Sequence, residues 1–210
     1  MAEQRPFDDR DGWIWFDGKL VPWREASIHV LTHALHYASS VFEGQRAYGG
    51  TIFKLREHSE RLHTSARLLG MDIPYSVEEL DAACKEVLKA NNLVDAYMRP
   101  VAWRGSEQMG VTARGTQCHV AIAAWDWGKY FDPDVAAKGL RLDIAPYRRP
   151  APYTAPVHSK AAGLYMCRGW TASPGSASKR SAPFTGCIRS CGCLPGGFGW
   201  RRSRRATTWR

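Results

Sequence analysis

What this sequence lacks is missing unevenly. No Asp or Glu follows Asp143, and of the branched aliphatic residues only Ile188 and Leu194 occur after Cys167. Without such residues, 168–210 cannot bury enough apolar surface to offset the entropy of ordering, so this Arg-, Gly-, Ser- and Trp-rich stretch is expected to be disordered. No apolar run in the chain approaches the length of a membrane span. The first dozen residues, Met1 to Gly12, hold no apolar segment of the kind a secretory signal needs, so the expected setting is cytoplasmic. The six cysteines form no C-x-x-C pair, which argues against a metal site. A cytosolic chain gives the crowded Cys167, Cys187, Cys191 and Cys193 little reason to form disulfides.

Charge divides the same way. The formal net charge is +9, yet nine of the 29 Lys and Arg residues and none of the 20 Asp and Glu lie from Arg168 onward, so residues 1–167 balance. A basic tail carrying Trp170, Trp200 and Trp209 suggests a non-enzymatic fragment that holds nucleic acid non-specifically. No folded element presents those charges, so a nucleic-acid partner is not expected. The tail's composition is what GC-rich DNA encodes when read out of frame. We read the chain as truncated or frameshifted after about residue 166. A clean stop in the coding DNA, with no alternative frame continuing beyond the Met166 codon, would exclude this.

The body has ordinary α+β grammar. Trp13 to Phe16 and Lys19 to Val21 flank Asp17-Gly18, a strong hairpin signal. Val41 to Tyr48 has strand composition and turns through Gly49-Gly50 into Thr51-Ile52-Phe53; Thr32 to Tyr37 is ambiguous. Leu55, Leu62, Ala66 and Leu69 mark one helix face before Gly70. Ser76-Val77-Glu78-Glu79 is a capping box opening a helix to about Ala90, with Val77, Leu80, Cys84, Val87 and Leu88 inward. Ala96 to Trp103 alternates as a strand, placing Tyr97, Arg99, Val101 and Trp103 on one face, and Pro100 points to an edge or a bulge. Cys118 to Trp125 reads as a strand covered on both sides, and Leu140 to Ile144 as a further strand. The expected organisation is a flexible 1–12, a small α/β domain at 13–125, a connection at 126–138, the start of a larger domain at 139–167, and the tail at 168–210.

Six motifs then fall in one order: Thr32-His33-Ala34-Leu35-His36-Tyr37, Ser39-Ser40-Val41-Phe42-Glu43-Gly44, Arg56-Glu57-His58 with Arg61-Leu62, Tyr97-Met98-Arg99-Pro100, Met109-Gly110-Val111, and Ser159-Lys160-Ala161-Ala162-Gly163. Over roughly residues 12 to 166 the chain resembles the branched-chain amino-acid aminotransferases, pyridoxal 5'-phosphate enzymes of fold type IV. The resemblance implies that Lys160 is the catalytic Schiff-base lysine, with Arg61 on the cofactor phosphate and Tyr165 on its phenolate oxygen. It implies a substrate pocket of Tyr37, Phe42, Tyr97, Arg99, Val111, Trp127 and Tyr130. Amino-acid and 2-oxo-acid substrates follow, as does a homodimer or higher homo-oligomer in which Tyr37 and Val111 reach the partner's site. Were a helix to begin at about Lys160, Lys160 and Tyr165 would splay by about 140°.

A lysine is the right residue for this chemistry because its amine can add to an aldehyde and later carry a proton. At its ordinary pKa of about 10.4 an amine is protonated, so such sites rely on burial or a nearby cation. One departure matters. The family holds the cofactor's pyridine nitrogen with a carboxylate downstream of the lysine, and this chain has none there. The polypeptide is therefore expected to be inactive or nearly so. A D-amino-acid transaminase or aminodeoxychorismate lyase of the same fold is the alternative enzyme. A fragment that pairs with an intact homologue is a further reading.

Overall fold

The computed structural model describes residues 5–127 and 148–166. The expected strand at Leu140 to Ile144, Tyr130 and the tail lie outside the described residues, as does most of the 126–138 connection.

One antiparallel sheet carries the described fold. Its strands are β1 (Trp13–Phe16), β2 (Lys19–Pro22), β3 (Ser40–Phe42), β4 (Gln45–Tyr48), β5 (Thr51–Ile52), β6 (Ala96–Arg104) and β7 (Cys118–Trp125). Their order is β2-β1-β7-β6-β4-β5, with β3 also on β6. The first hairpin forms as expected, and both turn residues take positive φ, Asp17 at 45° and Gly18 at 92°. That is the geometry whose twist suits a two-residue connection.

Three α-helices complete the described unit: α1 (His33–Tyr37), α2 (Leu55–Leu68) and α3 (Val77–Ala90). The ambiguous Thr32 to Tyr37 is thus mostly helix, closed by Ala38 in the left-handed region. The capping box forms in full, with Ser76 and Glu79 each satisfying the other's backbone N–H. Leu62 and Ala66 of α2 and Leu80, Cys84 and Val87 of α3 are buried against Val41, Ala47, Met98, Val120 and Ile122. Burial pushes the Cys84 thiol up to about 12 and the Cys118 thiol to about 11, which keeps both protonated. No helix among the described residues is long and apolar enough to cross a membrane.

Two strand expectations need correction. Val41 to Tyr48 is not one continuous strand, and Pro100 does not mark an edge, because β6 lies between β7 and the β3–β4 pair. The two departures share a cause. Pairings Phe42↔Val101 and Gln45↔Met98 keep one register across the interruption, which sets Glu43 opposite Pro100. Glu43 N–H donates to the Pro100 carbonyl at 2.8 Å, but proline has no N–H to return, so the ladder breaks there. β7 differs too: it alternates, with Val120, Ile122 and Ala124 fully buried and the residues between only partly so. One face of the strand, not both, is closed among the described residues.

Candidate active site

Parity along the broken strand sorts side chains to two faces of the sheet. Val41, Glu43, Gln45 and Ala47 are buried on the side of α2 and α3, while Phe42 and Arg46 point to the opposite face with Tyr97, Arg99 and Val101. Gly44 lies opposite Arg99 in the same register. A side chain there would collide with the Tyr97 hydroxyl, so its absence leaves that hydroxyl room.

Lys160 docks against this strand. Its carbonyl accepts from Phe42 N–H at 3.2 Å, its own N–H donates to Ser65 Oγ of α2 at 3.0 Å, and Ala161 bridges Val41. Ser159 is buried and hydrogen-bonds Pro156 through both its amide and its hydroxyl. The lysine is half-buried and tied at its backbone, unlike a solvated surface charge. Its Nζ donates to Tyr165 Oη at 3.2 Å and sits 4.8 Å from the centre of the Phe42 ring. The expected splay of Lys160 and Tyr165 does not occur. Ala161 is extended and only Ala162–Tyr165 turns, as a 3-10 helix, which brings the phenol back to the amine.

From Lys160 a continuous line of contacts runs along the sheet face. Phe42 and Tyr165 rings lie 4.9 Å apart, and the Arg99 guanidinium is 4.8 Å from the Phe42 ring. Arg99 Nη2 donates to Tyr97 Oη at 2.8 Å, and Tyr97 and Trp127 rings are 5.1 Å apart. Arg99 Nε is buried without a partner among the described residues. Phe7 packs behind this wall on Trp125 and Trp127, its carbonyl held by the Trp23 indole N–H. Tyr37 and Val111 stand outside the line, 42% and 81% exposed on α1 and on the 105–117 loop.

Arg61 sits on the helix side, one turn before Ser65 on α2. Its Nε and Nη2 donate to the two oxygens of Glu43, each at 2.6 Å, and His58 Nδ1 bonds Glu43 Oε2 at 2.9 Å. The Glu43 side chain has no solvent exposure. Burial pushes its pKa up, but hydrogen bonds from Arg61 and His58 more than reverse that, and the carboxyl ends below its ordinary value. Glu43, His58 and Ser65 are the residues that motif reading left without a role. The signal for two of them was available: an inward-parity Glu needs a cation, and His58 and Arg61 share a helix face at i, i+3.

The class IV amino-transferase family model matches residues 40–164, more than half of the chain. The chain belongs to that family. It is 44% identical over 162 residues to the branched-chain-amino-acid aminotransferase of Pseudomonas aeruginosa, spanning 75% of this chain and 53% of that one. Among solved structures it resembles the branched-chain aminotransferase of the archaeon Thermoproteus uzoniensis with norvaline, at TM-score 0.69 and 40% identity, over 75% of this chain and 54% of that one. A T.th. branched-chain amino acid aminotransferase complexed with N-(5'-phosphopyridoxyl)-L-glutamate matches at TM-score 0.67 and 39% identity, over 75% and 52%. This class IV aminotransferase chain thus spans about half the length of the curated relatives it matches.

Proposed function

We propose that this aminotransferase chain carries the lysine half of a site that moves an amino group between leucine, isoleucine or valine and 2-oxoglutarate. The single observation behind the reading is the seating of Lys160, its amine set between the Tyr165 hydroxyl and the Phe42 ring. The residues around this amine and along α2 support pyridoxal 5'-phosphate as its partner. Tyr165 offers a phenol to a ring oxygen; Arg61, one helical turn from the residue that anchors Lys160, is the cation the resemblance assigns to the phosphate, and it would meet that group with its Nε–Nη2 edge held by Glu43. When bound, the cofactor supplies a reactive aldehyde and a ring that withdraws electrons. Lys160 Nζ is the group that takes and returns the substrate's α-proton. Phe42, Tyr97 and Trp127 form an apolar wall for a branched side chain. The Arg99 guanidinium, on the Phe42 ring and the Tyr97 hydroxyl, favours a second, acidic substrate at that wall, in keeping with the phosphopyridoxyl-glutamate named for the T.th. structure.

The partner in this reading is a second copy of the chain. Its support is an exposed apolar surface on α1 and the neighbouring loop, where Val30, Leu31, Leu35, Tyr37, Met109 and Val111 are all exposed. Residues 161–210 hold no side-chain carboxylate for the pyridine nitrogen. The 210-residue chain should therefore capture the cofactor without turning over leucine.

The test is borohydride fixation. Chain incubated with pyridoxal 5'-phosphate and reduced should carry the label on the Lys160 peptide, and Lys160→Ala should lose it. Label spread evenly over exposed lysines would overturn the assignment. Leucine turnover at the rate of a full-length relative would overturn the expected inactivity.

A further inference from the structure

A second titratable cluster lies across β6 from the strand that seats Lys160, since His119 pairs with Trp103 and Trp103 with Ser40. His119, at the start of β7, is held from both sides: Nδ1 is 2.6 Å from Asp17 Oδ2 and Nε2 is 2.7 Å from Glu107 Oε1. Its ring stacks on Trp103 at 5.7 Å and 24°. Each carboxylate's other oxygen is already engaged, Asp17 Oδ1 by Val120 N–H and Glu107 Oε2 by Gln117 N–H, both at 2.8 Å. A neutral imidazole has one N–H, so it can serve only one of two carboxylates and must turn a lone pair toward the other. Both contacts are satisfied only when the ring is an imidazolium.

The two carboxylates differ in what they are attached to. Asp17 belongs to the two-residue β1–β2 turn, which is fixed by its hairpin. Glu107 belongs to the 105–117 loop, whose two ends are tied by His33 N–H to the Gly105 carbonyl at 2.9 Å and by Arg104 Nη1 to Thr116 Oγ1 at 3.2 Å, with further pins between them. Gly105 N–H bonds the Gln117 carbonyl at 3.0 Å, Gly110's carbonyl meets His33 Nε2 at 2.9 Å, and Glu107 reaches His119 and Gln117. A side chain at Gly105 would collide with both Glu107 and His119, so the clamp fills space that glycine leaves open. Other titratable or charged groups nearby are His29, which lines the same cleft, Tyr75 beside the Asp17–Gly18 turn, Cys118 next to His119, Arg104 on Thr116 and His33 on Gly110.

We propose that His119 is a positioning residue: as an imidazolium it clamps Glu107 and fixes the pose of the 105–117 loop, and on losing its proton to water it releases that loop. Burial opposes the charge on His119, but hydrogen bonds to Asp17 and Glu107 outweigh it and raise the pKa above the ordinary value. Release therefore comes as pH rises through that elevated value, not as it falls. The loop carries Met109 and Val111, so their presentation at the surface becomes pH-dependent whether or not a second copy covers them.

Amide exchange of the 105–117 peptide, read by mass spectrometry across pH 6 to 9, tests this on the intact chain. The expected result is a several-fold loss of protection beyond the intrinsic base-catalysed rise, centred on the NMR titration midpoint of the His119 ring. That midpoint should lie above a free imidazole's. Glu107→Gln should lower the midpoint and abolish the excess, while β6 and β7 amides keep their protection. A wild-type loop that follows the intrinsic rate throughout, or a His119 midpoint at or below that of free imidazole, overturns the proposal. Since both wild-type readings decide it, a Glu107→Gln chain that failed to fold would not protect it.

Discussion

Two clusters in this sheet solve opposite problems with the same residue types. At Glu43 a single buried carboxylate is met by two bases, Arg61 and His58. At His119 one base is met by two carboxylates, Asp17 and Glu107. The carboxylate of the first is fully enclosed, whereas every member of the second is about a quarter exposed. Enclosure decides what each can be used for. A buried charge that loses its partners has no water to fall back on, so the first cluster is committed to the fold. The second can lose a proton and still be solvated, so it can change state while the fold persists.

Breaking the first cluster should therefore cost most. Glu43→Ala is expected to destabilise the chain by about 3 kcal/mol in urea unfolding, the partial exposure of Arg61 keeping the loss near the lower end for buried pairs. A loss under about 1 kcal/mol would remove the contrast between the clusters.

His119→Gln should cost about 1.5 kcal/mol near pH 6, the low end for hydrogen bonds to charged groups because the cluster is partly exposed. Its pH dependence separates the two clusters. His119 has a raised folded pKa, so its contribution is complete below the unfolded value of about 6.5 and fades as pH rises through the folded value. Glu43 has a lowered folded pKa, so its contribution is complete above the unfolded value of about 4.3 and fades as pH falls through the folded value. Unfolding midpoints of wild type, H119Q and E43Q across pH 3 to 9 should thus converge at opposite ends. Convergence at the same end would contradict one assignment.

The smallest effect expected is from Ser65→Ala, which removes one neutral hydrogen bond to the Lys160 amide. It should cost about 1 kcal/mol at every pH tested. A slope with pH here would mean the lysine segment is coupled to one of the charged clusters.

Much of this arrangement was legible before any coordinates. The hairpin at Asp17-Gly18, the capping box at Ser76 and the inward stripe of α3 all follow from short-range chemistry that the local sequence contains in full. What could not be read were facts that depend on two distant segments at once. Pro100 in isolation argues for an edge or a bulge; only its pairing opposite Glu43 shows an inner strand accommodating it. Arg61 in isolation reads as a phosphate ligand or a solvated arginine, and its grip on Glu43 needs the strand parity as well. The meeting of Lys160 with Tyr165 turned on where a helical turn begins, two residues later than expected, which is a boundary set by the bridge from Ala161 to Val41.

The unbroken register across the Glu43–Gly44 gap has a genetic corollary. Phe42 and Glu43 are neighbours in the chain but serve opposite faces of the sheet, and only the alternation of the strand keeps them apart. Loss or gain of a single codon between those for Val41 and Gln45 would exchange the faces, aiming a carboxylate at the lysine's aromatic cradle and a phenyl ring at Arg61. A substitution within these few codons changes one side chain on one face, whereas an indel of odd length exchanges the two faces.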